Sequence, residues 1–127
     1  MKQSSWDLDY RDGRAGEQLV HGLLTGGQTV EVKTDRRWSE TGNLYIETEC
    51  FYQASQSWEL SGLNVSAADY WAFVLEDTVL MVTKANLMKT VAEYGRPITC
   101  KIEPNPSRGY LITAENILQT TKKNPLP

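Results

Sequence analysis

Gln28-Thr-Val-Glu-Val-Lys-Thr-Asp35 and, after a polar connection, Asn43-Leu-Tyr-Ile-Glu-Thr-Glu49 form the stretch on which the fold turns. Val30 and Val32 alternate with Glu31 and Lys33; Leu44 and Ile46 alternate with Tyr45, Glu47 and Glu49. A period of two belongs to half-buried strands, which put apolar side chains on one face and charged ones on the other. Thr34 through Gly42 is polar and contains glycine, so the two runs predict an antiparallel pair. A hairpin centred near Ser39 sets Glu31 opposite Glu47, a register that also keeps the apolar faces together. Opposed carboxylates repel unless one is protonated or a cation lies between them. Lys33 shares the face of Glu31 at roughly 6.6 Å, two residues of strand rise. Asp35 is read as a turn residue, roughly 13 Å from Glu31 by the same rise.

Outward from this pair, Ala15, Leu19, Val20, Leu23 and Leu24 fall at helical spacing, and Thr25-Gly-Gly ends that helix. Trp6, Leu8 and Tyr10 alternate within residues 1–11, an N-terminal arm or edge strand. On the C-terminal side, Phe51 to Asn64 reads as an extended segment plus loop. Ser66 reads as the cap of a short helix over Ala67–Asp69. Trp71–Leu75 and Thr78–Val82 read as strands across a Glu76-Asp77 turn. Thr83 caps a helix from Lys84 to Glu93, Ile98–Ile102 and Tyr110–Ile112 are short strands, and Thr113 caps a last helix, Ala114–Gln119. Residues 120–127 are expected to fray. The pattern predicts one α/β domain over residues 1–127, a mixed central sheet flanked by helices.

The 127 residues suit a single core. A formal net charge of −3 argues against a general nucleic-acid coat but allows a local basic patch beside an acidic site. No apolar run reaches the roughly 20 residues of a membrane helix, and the first residues carry no apolar signal core. A cytoplasmic protein with no membrane partner is expected. Cys50 and Cys100 cannot make a metal cluster alone, and a disulfide is disfavoured in that compartment.

Glu31 and Glu47, with Glu17 from the preceding helix, would offer a hard oxygen site for magnesium or manganese. Lys33 beside them would meet an anionic substrate. An ion and an ammonium together suit phosphodiester hydrolysis. His21, mid-helix, is not read as a catalytic base.

Gly13-Arg-Ala-Gly-Glu17 followed by Glu31-Val-Lys33 resembles the PD-(D/E)XK nuclease superfamily, in particular small Holliday-junction-resolvase-like and phage-type members. Thr41-Gly-Asn-Leu-Tyr-Ile-Glu47, Ser61-Gly62 and Ala68-Asp-Tyr-Trp71 resemble further segments of such nucleases, so the likeness spans roughly residues 7 to 82. It implies a restriction-endonuclease-like fold and a magnesium-dependent DNA endonuclease acting as a homodimer. Glu31, Lys33, Glu47 and Glu17 would be catalytic, with the three carboxylates as metal ligands. Arg36, Arg37, Trp38 and Asn43 would contact DNA, by gripping phosphate and stacking on bases. One departure is plain: the family places an Asp on the strand before Glu-x-Lys, and none lies between Glu17 and Glu31. Either Glu47 takes the place of that Asp, or Glu31 takes its role and Glu47 that of the second carboxylate. The remaining alternative is an inactive relative that binds DNA or a protein.

Overall fold

The computed structural model describes Glu17, Gln18, His21–Leu23 and residues 25–124. Glu17, Gln18 and His21–Leu23 are helical, as the apolar spacing predicts, whereas the arm over residues 1–11 lies outside the described residues. After them come β1 (Val30–Thr34), α1 (Trp38–Thr41), β2 (Asn43–Tyr52), β3 (Ser57–Leu60), a 3-10 turn (Gly62–Asn64), β4 (Tyr70–Leu75), β5 (Thr78–Thr83), α2 (Lys84–Tyr94), β6 (Arg96–Cys100), β7 (Ser107–Thr113) and α3 (Ala114–Lys123). The chain is mixed α/β, but its strands divide between two sheets instead of joining one. One sheet has the order β1-β4-β5 and the other β3-β2-β7-β6.

The expected β1–β2 hairpin does not form. The connection folds into the helical turn α1, closed by Gly42 at φ 73°, whose N–H donates to Trp38 O at 2.7 Å. A left-handed residue after a helical turn re-aims the chain rather than reversing it in a tight hairpin. β1 instead lies parallel to β4, with Glu31 beside Trp71 and Lys33 beside Phe73. β2 pairs antiparallel with β3 on one side and β7 on the other, and Glu47 faces Gly109. Gly109 is required there, because a Cβ would come within 2.1 Å of Ile46 O.

β4 is the middle strand of its sheet, and Trp71, Ala72, Phe73 and Leu75 are all buried. That two-sided burial explains why the run is apolar without alternation. The Glu76-Asp77 turn returns the chain into β5, as expected, with Val74 beside Val79. One core joins both sheets to both long helices. It includes Leu44 and Ile46 from β2, Trp71 and Phe73 from β4, Leu87 from α2, and Ile112 and Ile117 from β7 and α3. Each such side chain contributes about 1.5–3 kcal/mol of transfer free energy.

Both helices are capped as the sequence predicts. Thr83 Oγ1 accepts from Asn86 N, and Thr113 with Asn116 forms a reciprocal capping box. α3 runs to Lys123, so residues 120–123 do not fray; Thr120 is fully buried, and Lys123 bonds Glu93 and Tyr94 of α2. The predicted helix over Ala67–Asp69 is absent. Ser66 Oγ accepts from Ala68 N at 3.2 Å, a serine turn that uses the hydroxyl otherwise free to cap a helix.

Candidate functional site

β1 does not bury its valine face as expected, although Val30 is half-buried. Val32 is 59% exposed, whereas Glu31, Lys33 and Asp35 are half-buried. The charged side of the strand is therefore the more covered one from Glu31 to Asp35. Charged side chains are seldom buried unless something receives them. The group that receives Glu31 is the segment between β3 and β4.

That segment runs from β2 to β1 and is pinned at both ends. At the first end, Ser61 N and Asn64 Nδ2 both donate to Thr48 O, at 2.9 and 3.0 Å. Gly62, at φ 53°, lies so close to β2 that a Cβ would meet Glu47 O at 2.1 Å. At the other end, Asp69 Oδ2 accepts from both N and Oγ1 of Thr29, each at 3.1 Å. Between these ends two serines address the two glutamates. Ser61 Oγ donates to Glu47 Oε2 at 2.8 Å, and Ser66 Oγ to Glu31 Oε1 at 3.4 Å. Lys84, first residue of α2, donates to Ser66 O and fixes the far serine. Glu31 and Glu47 are thus connected through one short segment although they stand in different sheets.

The second carboxylate oxygen of each glutamate takes no hydrogen bond among the described residues. Lys33 Nζ lies 5.5 Å from the centroid of the Trp71 ring and makes no ion pair among the described residues. Trp71 is 1% exposed, and its indole N–H has no acceptor among the described residues. An unmet buried donor is uncommon and marks a place that water or a ligand oxygen would complete.

Asp35 closes the lower end of this charged face. Its Oδ1 accepts from Arg37 N at 3.1 Å and its Oδ2 from Tyr45 N at 3.0 Å. It is a turn residue, as read, but one that also ties β1 to β2. Tyr45 in turn shares a 2.6 Å hydrogen bond with Ser107. Burial raises the Tyr45 hydroxyl pKa above its ordinary value, against the opposing pull of that bond.

The other anticipated residues are dispersed. Glu17 is an exposed helical residue. Among the described residues, no three His, Cys, Asp or Glu side chains gather closely enough to hold an ion. Glu31 and Glu47 do not face each other across a ladder, because each has a different strand partner. Arg36 and Arg37 are exposed, and Arg37 approaches Glu40 at 4.0 Å. Trp38 is half-buried against the core. Asn43 Oδ1 accepts from Arg96 Nη2 at 2.7 Å. Ser61, Ser66 and Lys84 were not singled out from sequence as site residues. The one signal for them is Ser61-Gly62, a pair whose glycine allows the close approach to Glu47.

No known protein family matches the chain, and neither does any curated protein or solved structure.

Proposed function

We propose that the protein is a metal-dependent nuclease that hydrolyses DNA phosphodiesters at the charged face of β1, with Glu31, Glu47 and Lys33 at the site. The observation that carries this reading is the inward turn of Glu31 and Lys33 while Val32 stands in solvent. Placing charge inside and a valine outside is unfavourable for folding alone, which favours a functional reason for the arrangement.

The donor set fits magnesium or manganese. Glu31 and Glu47 are hard oxygen ligands, and magnesium is commonly held by one or two carboxylates together with substrate phosphate. Glu17 would join them only if its helix approaches. Glu31 and Glu47 would hold the ion, which would supply neutralisation of phosphate charge and a water of lowered pKa. The chain's own groups do the rest. Ser61 and Ser66 fix the carboxylates by hydrogen bonding one oxygen of each, leaving the other for a ligand. Lys33, unpaired by any described carboxylate, donates to a phosphate oxygen and stabilises charge that grows there. Arg36 and Arg37 extend the grip along the backbone of the DNA. Two copies acting together would allow both strands of a duplex to be cut.

The second reading, a nuclease-like module that binds DNA or a protein without cutting, is favoured by one observation: three carboxylates are not gathered at one point among the described residues. Nicking of supercoiled plasmid separates the two. The nuclease nicks with manganese and not with a chelator, and Lys33→Ala lowers the rate about 100-fold or more, the usual effect of removing one preorganised donor. A plasmid that is shifted on a gel but never nicked supports the module.

A further inference from the structure

A second feature lies away from the Glu31–Lys33 face. Thr99 of β6, Arg108 of β7 and Glu49 of β2 occupy one row across three neighbouring strands. They line a groove of about 250 Å³, with Pro97 and Tyr110 as its apolar wall. The Arg108 guanidinium carbon lies 3.8 Å from the centroid of the Trp58 ring on β3. Trp58 is in turn braced edge-on by Phe51, centroids 5.6 Å apart and planes 67° apart.

At 3.8 Å the guanidinium is in van der Waals contact with the indole, in the range of a cation–π stack. Trp58 thus holds Arg108 in place, and 45% of the Arg108 side chain remains exposed. The partner carboxylate is Glu49, whose Oε1 lies 3.9 Å from Arg108 Nη1. That distance is beyond a direct hydrogen bond, so both groups keep hydrogen-bonding capacity toward a third party. The groove therefore presents a positioned planar cation, an acceptor beside it, a threonine hydroxyl and an apolar wall.

We propose that this groove binds an unpaired nucleobase of a single-stranded nucleic acid. The base would stack on the open face of Arg108, making a three-layer stack with Trp58. Guanidinium planes serve as stacking surfaces for splayed bases. Glu49 would accept from an exocyclic amine of the stacked base, and the Thr99 hydroxyl would donate to a ring or carbonyl acceptor on its edge. A base paired inside a duplex cannot reach a groove set between strands, so single strands bind preferentially. The proposal does not depend on the nuclease reading, because it uses other residues and needs no metal.

The test is fluorescence anisotropy in a chelating buffer with a labelled mixed-sequence DNA oligonucleotide, the same sequence annealed to its complement, and a free deoxyguanosine monophosphate competitor. The expected result is a Kd for the single strand about ten-fold or more below that for the duplex, the effect of one stacked base. Arg108→Lys keeps the charge but loses the plane, and weakens single-strand binding about ten-fold. Trp58→Phe keeps the platform and binds nearly as well as the parent chain, and circular dichroism verifies that both variants fold. Equal affinity for single strand and duplex overturns the proposal, as does an Arg108→Lys variant that binds like the parent. A mononucleotide that competes as well as the oligonucleotide also overturns it, in favour of a small-ligand site.

Discussion

β1 and β2 carry the same alternation in opposite senses. In β2 the aliphatic residues Leu44 and Ile46 are fully buried, and Tyr45 and Glu47 stand at half-buried positions on the other side. In β1 Val32 and Thr34 are exposed, while Glu31 and Lys33, like Val30, are half-buried. The difference follows from position. β2 is an inner strand with partners on both sides and a helix-covered face, so its apolar residues fill the core. Among the described residues β1 is an edge strand held by β4 alone, and its Glu31 side meets the serine-bearing segment that follows β3. A strand facing an apolar layer is selected for packing; a strand facing hydroxyls is free to carry charge.

The largest expected effect lies on β2. Ile46→Ala leaves a cavity between fully buried neighbours and destabilises the fold by about 2–5 kcal/mol, measured by urea unfolding. The equivalent truncation on β1, Val32→Ala, changes stability by less than about 0.5 kcal/mol, because the side chain stands in solvent. Similar losses at the two positions would mean that Val32 is covered in solution and that the contrast between the strands fails.

A smaller effect concerns the serines. Ser61→Ala removes the 2.8 Å bond to Glu47 and lowers manganese-dependent nicking about 10-fold or more, as loss of a group that orients a ligand does. Ser66→Ala, with its 3.4 Å contact to Glu31, has a weaker effect. If the order is reversed in single-turnover rates, Glu31 rather than Glu47 is the carboxylate that most needs its orienting serine.

How much of this was legible in the residues depends on how local each cause is. The stretch from Trp71 to Tyr94 could be read closely. An apolar run, a two-residue turn, a second run and a threonine cap are signals carried by neighbours in sequence. The face of β1 could not be read, because alternation gives a period and not a direction. Direction is set by β4, whose pairing partner lies about 40 positions away, Val30 beside Tyr70. The hairpin expectation failed for a related reason. Thr34 to Gly42 has turn composition, but Trp38 packs on the core and draws the connection into a helical turn. Glu31 and Lys33 were correctly singled out as neighbours on one face. What joins Glu31 to Glu47 is Ser61 and Ser66, and such a bridge has no pattern in the sequence beyond the Ser61-Gly62 pair.

The smallest effects are those of pH. The Tyr45 hydroxyl has a folded-state pKa above its ordinary value, with burial the main cause. The folded state then holds the proton more tightly than the unfolded state. Its contribution is fully present below the ordinary tyrosine range and is lost as pH rises through the folded value. Lys123, pushed up to about 12 by its hydrogen bond to Glu93 and then that to Tyr94, behaves in the same sense. A melting curve that stays constant to about pH 9 and declines above it is expected. Tyr52, also raised, contributes in the same sense, and Tyr45→Phe and Lys123→Met each remove part of that decline.

The most direct measurement is the anomalous difference map of a crystal soaked in manganese. A peak in contact with the carboxylates of Glu31 and Glu47, near Lys33, is the result this account predicts. Full manganese occupancy elsewhere on the molecule, with those two carboxylates holding only their serines, would contradict it.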